Sequence, residues 1–148
     1  MQQTNKHRIA VLFMLVITSM VFFSFSSPDG GDSFEIYVNN KLVVQRYLTQ
    51  AKPTQTLNWN QGNYNDQVDI YYSHCGVSGK NRTIAVKDAQ NKTLKSWEFA
   101  DAASGHNNAM SCKVKDILSA GRNSNTLYLY YSSRELPNGY LLATIKGS

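Results

Sequence analysis

The sequence predicts an all-β antiparallel sandwich, and three observations carry that expectation. From residue 34 onward apolar residues recur with a period of two in short runs. Those runs are separated by turns rich in Asn, Gly, Asp and Pro, and no stretch there keeps a helical period beyond one or two turns. About 7–9 short strands follow, with one short helical turn near 115–120.

The residues ahead of that region read as a separate unit. Lys6 and Arg8 precede the apolar run Ile9–Phe23, which has the length of a signal peptide's central region and falls short of the ~18 residues of a confident membrane span. Ser24 and Ser26 match the small-x-small pattern that a signal peptidase reads, so a signal peptide over 1–26, cleaved before Ser27, is expected. An uncleaved N-terminal anchor is the alternative, and the expected route to a membrane. With either outcome the basic flank stays cytoplasmic and the remainder is exported, to the periplasm or beyond the cell. No cysteine follows the apolar run, which gives a lipid-modified N-terminus no support. Loss of Lys6 and Arg8 takes the formal charge from +5 to +3. The remaining basic residues are spread from Lys41 to Lys146 with acids between them, unlike the basic stripe of a nucleic-acid binder, so nucleic acid is not an expected partner.

Residues 27–33 read as a linker, since Pro28, Gly30 and Gly31 break regular structure, and 34–148 as a single domain long enough to bury its own core. Phe34, Ile36 and Val38 alternate on one face of the first strand. A three-residue loop through Lys41 would set Val38 across from Leu42 and Ile36 across from Val44, matching apolar to apolar, and is preferred over a two-residue Asn39-Asn40 loop. Val68, Ile70 and Tyr72 alternate in the next strand. "TIAVKDAQNKTLKSWEF" reads as a hairpin turning within Asp88–Asn91, with Ile84, Val86 and Leu94 inward and a bulge near Lys95 or Ser96 bringing Trp97 and Phe99 into phase. Met110, Cys112 and Val114 share a face, and "KDILSAG" closes that strand with a helical turn ended by Gly121. Two final strands, "TLYLYYS" and "YLLATIK", flank a turn containing Pro137 and Asn138-Gly139. Seven or more such strands fit an immunoglobulin-like arrangement, with Lys41, Lys95 and Lys146 as candidate guards of the sheet edges.

His74, Cys75, His106 and Cys112 are the usual soft metal ligands after residue 26. By count they make a tetrahedral zinc set, but they lack the short ligand clips of zinc modules. An exported pair of cysteines favours instead a Cys75–Cys112 disulfide, with two free thiols as the alternative. The bridge needs a slip in strand phase between Ser73 and Gly76, because continued alternation turns His74 inward and Cys75 outward while Cys112 points inward. His74 alone reads as a core or turn histidine. A Cys75–His106 nucleophile pair, with Asn107 or Asp101 as orienter, carries little specificity, and no catalytic residues are assigned. "GVSGKN" (76–81) lacks the spacing of a phosphate loop. Asn81 and Asn91 open N-x-T patterns that occur often by chance.

Tyr71, Tyr128 and Tyr130 are the candidate binding residues. With Leu127, Leu129 and Tyr131 inward, Tyr128 and Tyr130 face outward, as does Tyr71 on its own strand. In an immunoglobulin-like sandwich the strands of Tyr71 and Tyr130 are expected to be neighbours in one sheet, so that the rings form a continuous patch for a glycan, a peptide or an envelope protein. Tyrosine's ordinary preference for strands is the plainer account.

At "YYSHCGVSGKNRTIAVKD", "SCKVKDIL" and "LYYSSRELPNGYLLA" the chain resembles small exported β-sandwich proteins of Bacteroidota with no assigned activity. The resemblance runs from about Phe34 onward and implies an exported sandwich without catalytic residues to carry over. The functional expectation is thus a non-enzymatic binding or envelope-associated module with no cofactor. A metal or redox protein using His74, Cys75, His106 and Cys112 is the alternative, and a purely structural domain is a third reading.

Overall fold

The computed structural model describes residues 31–103, 108–121 and 124–147. The expected signal peptide, and His106 with Asn107, lie outside the described residues. Among the described residues nine strands make two sheets. They are β1 (Ser33–Val38), β2 (Lys41–Tyr47), β3 (Gln55–Trp59), β4 (Gln67–Ser73), β5 (Arg82–Lys87), β6 (Thr93–Phe99), β7 (Met110–Lys113), β8 (Thr126–Ser132) and β9 (Tyr140–Gly147). One helix, α1 (Val114–Ala120), follows β7, and a 3-10 turn covers Gln61–Asn63.

The sheet orders are β2-β1-β4-β7 and β3-β9-β8-β5-β6. Taking β1, β4 and β7 as strands A, B and E, and β5, β8 and β9 as C, F and G, reproduces the immunoglobulin order, with the chain changing sheets after β2, β3, β4, β6 and β7. Period-two alternation supplies the core: Phe34, Ile36, Val68, Ile70, Tyr72 and Met110 from one sheet meet Ile84, Val86, Leu127, Leu129, Tyr131 and Ile145 from the other, all buried. Each fully buried Ile or Leu contributes about 1.5–3 kcal/mol, so this layer holds the sandwich together. Val114 and Ile117, one turn apart on α1, close one end of it.

Three local expectations change. The first hairpin turns on Asn39 and Asn40, both at positive φ (49° and 65°), which is the two-residue geometry that matches strand twist. Val38 therefore pairs with Lys41 and not with Leu42, and a bulge that leaves Val43 extra restores the expected Ile36–Val44 pair. In the second hairpin the extra residue is Leu94, one position earlier than expected, between the Lys87–Thr93 and Val86–Lys95 pairs. Lys41 and Lys95 do lie on edge strands, whereas Lys146 sits on β9 between β3 and β8, because β3 adds to that side as a parallel strand. β3 has only Leu57 and Trp59 to mark its inner face in a polar run, and its pairing partner is 88 residues away in sequence, so no local signal announces it.

Gly121 ends α1 as expected, for a different reason. Its φ is −108°, open to any residue, but a Cβ there would overlap Leu127 Cδ2. Gly121→Ala should therefore destabilise the fold by about 1–3 kcal/mol through overpacking, read as a lower urea midpoint at unchanged m-value.

Candidate functional site

The three candidate tyrosines do not share a sheet. Tyr71 lies on β4, in the four-stranded sheet, and Tyr128 and Tyr130 lie on β8, in the five-stranded one. Strands B and F of this fold belong to opposite sheets, so outward residues on them point to opposite sides of the sandwich. The expected continuous patch is not formed. Tyr130 is instead covered by Lys87, whose Nζ stands 4.6 Å from the ring centroid.

Tyr71 has a different neighbour, Tyr37, with ring centroids 5.6 Å apart and planes at 79°. The β1–β4 register explains the meeting. Glu35 lies across from Tyr71 and Tyr37 across from Asp69, so alternation puts two tyrosines and two carboxylates on one outer face, each ring diagonal to the other. The acids are held by neutral donors. Glu35 accepts from the Tyr37 hydroxyl (2.9 Å) and Gln45 Nε2 (2.8 Å). Asp69, only 7% exposed, accepts from Gln67 Nε2 (2.9 and 3.2 Å) and Ser111 Oγ (2.5 Å). The hydrogen bond to Glu35 raises the Tyr37 phenol above its ordinary pKa. Glu35, Tyr37, Asn40, Asp69 and Tyr71 line an open depression of about 350 Å³. A second of about 310 Å³, lined by Ser33, Phe34, Glu35, Tyr71 and Ser73, continues it along the two strands. Sequence reading missed Tyr37, Glu35 and Asp69. The signal was present, since each alternates with a core residue of its strand.

The second constellation centres on His74. It is buried on the inner face as the alternation predicts, and its ring links both sheets to the start of the domain. Nδ1 lies 3.1 Å from Asp32 Oδ2, and Nε2 lies 3.0 Å from Tyr131 Oη and 3.1 Å from Ser133 Oγ. Asp32 also accepts from the Tyr72 hydroxyl (3.0 Å) and the Cys75 N–H (3.1 Å). An Nδ1–H that donates to Asp32 leaves Nε2 of that tautomer to accept from a hydroxyl. Tyr72 stacks on Tyr131 at 4.1 Å between centroids. Burial, with the bond to Asp32 next in weight, pushes the Tyr72 phenol up, and burial also raises Tyr131.

Ser133, His74 and Asp32 thus have the connectivity of a hydrolytic triad, but not its exposure. Ser133 is 5% exposed, and its Oγ accepts the Leu136 N–H. The nearby Ser133 and Arg134 N–H groups, the local donors available to an oxyanion, are taken by the Leu136 and Lys80 carbonyls. The array acts as a brace. It ties Asp32 to the ends of β4 and β8.

The expected Cys75–Cys112 disulfide is absent, and both cysteines are free. Cys112 pairs across from Val68, and Cys75 follows seven residues farther along, about 23 Å at strand rise, against a Cα limit of roughly 7 Å for a bridge. The same separation disperses the alternative metal set: Cys112 is remote from His74 and Cys75, and both His74 nitrogens face hydrogen-bond partners. Among the described residues no three His, Cys, Asp or Glu side chains converge on a metal position. Asn81 and Asn91 sit at φ 49° and 63°, so turn geometry accounts for asparagine at both.

No family model matches the chain, and no curated protein matches it.

Two outcomes follow. Exposed Cys75 should react at once with a thiol reagent at neutral pH, whereas Cys112, whose thiol burial pushes up to about 12, should react only on unfolding; an intact mass two hydrogens below the reduced value would contradict both. Tyr72, Tyr131 and Cys112 also have raised values when folded, so the unfolded chain releases their protons first. Stability should be full below the unfolded thiol value of about 8.5 and fall as pH rises past the unfolded phenol value of about 10. A urea midpoint unchanged between about pH 7 and pH 10.5 would contradict this.

Proposed function

We propose that the chain is an exported, non-enzymatic binding module, and that its ligand face is the outer surface of the four-stranded sheet. One observation carries the reading: Glu35, Tyr37, Asp69 and Tyr71 line a single open depression, with both acids fixed by hydrogen bonds before any ligand arrives. Preorganised groups of this kind lose little freedom on binding, and a tyrosine offers apolar area together with a polar tip. Burial of the Asp69 carboxylate beneath that surface supports the reading further, because a solvated face does not call for a nearly buried charge. The N-terminal apolar run supports export, with the periplasm or the cell exterior as the location and a glycan, a peptide or an envelope protein as the partner. The sealed surroundings of Ser133 favour binding over hydrolysis.

The test is capture on combined glycan and peptide arrays by the purified chain and its Tyr37→Ala, Tyr71→Ala, Tyr128→Ala and Tyr130→Ala variants. Capture should fall roughly tenfold in the first two and hold in the last two. The Tm of each should move by less than about 4 °C, the scale of a surface change of roughly 1 kcal/mol. Capture that survives Tyr71→Ala but is lost in Tyr130→Ala would move the ligand face to the other sheet. A fluorophosphonate probe should leave Ser133 unlabelled, and stoichiometric labelling there would overturn the non-enzymatic reading.

A further inference from the structure

We infer that the Tyr37–Tyr71 depression takes a cation, the lysine or arginine side chain of an extended peptide lying along β1 and β4. The inference rests on the ligand face proposed above and names what that face selects. Four observations support it. First, the depression carries two carboxylates and no lysine or arginine in its lining, although the chain as a whole is basic. Every bond its acids accept comes from a neutral donor: the Tyr37 hydroxyl, the Gln45 and Gln67 amides and the Ser111 hydroxyl. Their two negative charges therefore have no counter-charge within the site. On the same face Lys113, two residues beyond Ser111 and across from Gln67, turns its Nζ to the Asn65 carbonyl at 3.4 Å.

Second, the ring geometry agrees independently of the acids. Planes at 79° make a corner and not a flat platform. A pyranose stacks on a flat aromatic surface, whereas a compact ammonium or guanidinium is attracted to the negative faces of rings set around it. Third, carboxylate oxygens only accept, so the ligand has to bring donors, and a cationic group brings the strongest ones. Fourth, the second depression shares Glu35 and Tyr71 with the first and runs on to Ser33 and Ser73. From Val38 to Ser33 the furrow follows β1 for about 17 Å at strand rise, which is room for an extended chain in addition to one side chain.

Isothermal titration of the purified full chain tests this with four probes: a blocked glycine-rich pentapeptide with a central lysine, its norleucine counterpart, spermidine and a neutral pentasaccharide. The lysine peptide should bind, with affinity falling as salt is raised. The norleucine peptide should bind at least tenfold more weakly, and Glu35→Gln should weaken the lysine peptide roughly tenfold with Tm unchanged. Asp69→Asn keeps the shape at a second position should Glu35→Gln alter the fold, and the same loss is expected there. Spermidine binding as tightly as the peptide would overturn the peptide as the source of the cation. Equal binding of the two peptides, or Tyr71-dependent binding of the pentasaccharide alone, would overturn the cation while leaving the ligand face standing. Absence of binding by all four probes would overturn the inference, and the array experiment would then decide the ligand face separately.

Discussion

The register in which β1 lies on β4 is the constraint from which both the core and the proposed ligand face follow. Ile36 opposite Ile70 and Phe34 opposite Tyr72 turn four apolar side chains inward. The same alternation turns Glu35, Tyr37, Asp69 and Tyr71 outward. A slip of one residue would exchange the two sets, burying two acids and exposing the core. Burial of the apolar set therefore fixes the outer quartet, and binding geometry is obtained without a separate structural element to hold it.

His74 and Asp32 act on a smaller energy scale and with a different purpose. Each hydrogen bond to the Asp32 carboxylate contributes on the order of 1.5–3 kcal/mol at most, less than the layer of apolar residues beneath, but burial of Phe34 and Ile36 sets β1 on β4 without tying the residue ahead of β1 to the strand ends of both sheets. Asp32 does so by accepting from Tyr72, His74 and Cys75 together, and through His74 the link passes to Tyr131 and Ser133 on the other sheet. The stretch "YYSHCG" is accordingly a strand end whose histidine joins the sheets, while its cysteine lies outside the core and unpaired.

Much of the architecture was legible because burial writes itself as alternation. The inward residues of β1, β4, β7 and β8, the short helix and the inward His74 all follow from period two and turn chemistry. What escaped was non-local. The parallel pairing of β3 with β9, the placement of Tyr71 and Tyr130 on opposite sheets, and the distance between Cys75 and Cys112 depend on which strands are neighbours, and no short window of sequence contains that information. The site was half legible for the same reason: Tyr71 was visible as an outward ring, but its value comes from Tyr37 and Glu35 on a strand more than 30 residues earlier.

The most direct test of the account is the aromatic NOE spectrum of the folded protein. Cross-peaks between the Tyr37 and Tyr71 rings, together with contacts between Phe34 and Tyr72 on the inner face, are the predicted result, since they require the β1–β4 register and its outward quartet. Cross-peaks from Tyr71 to Tyr130 in their place would put those strands side by side in one sheet and contradict the account.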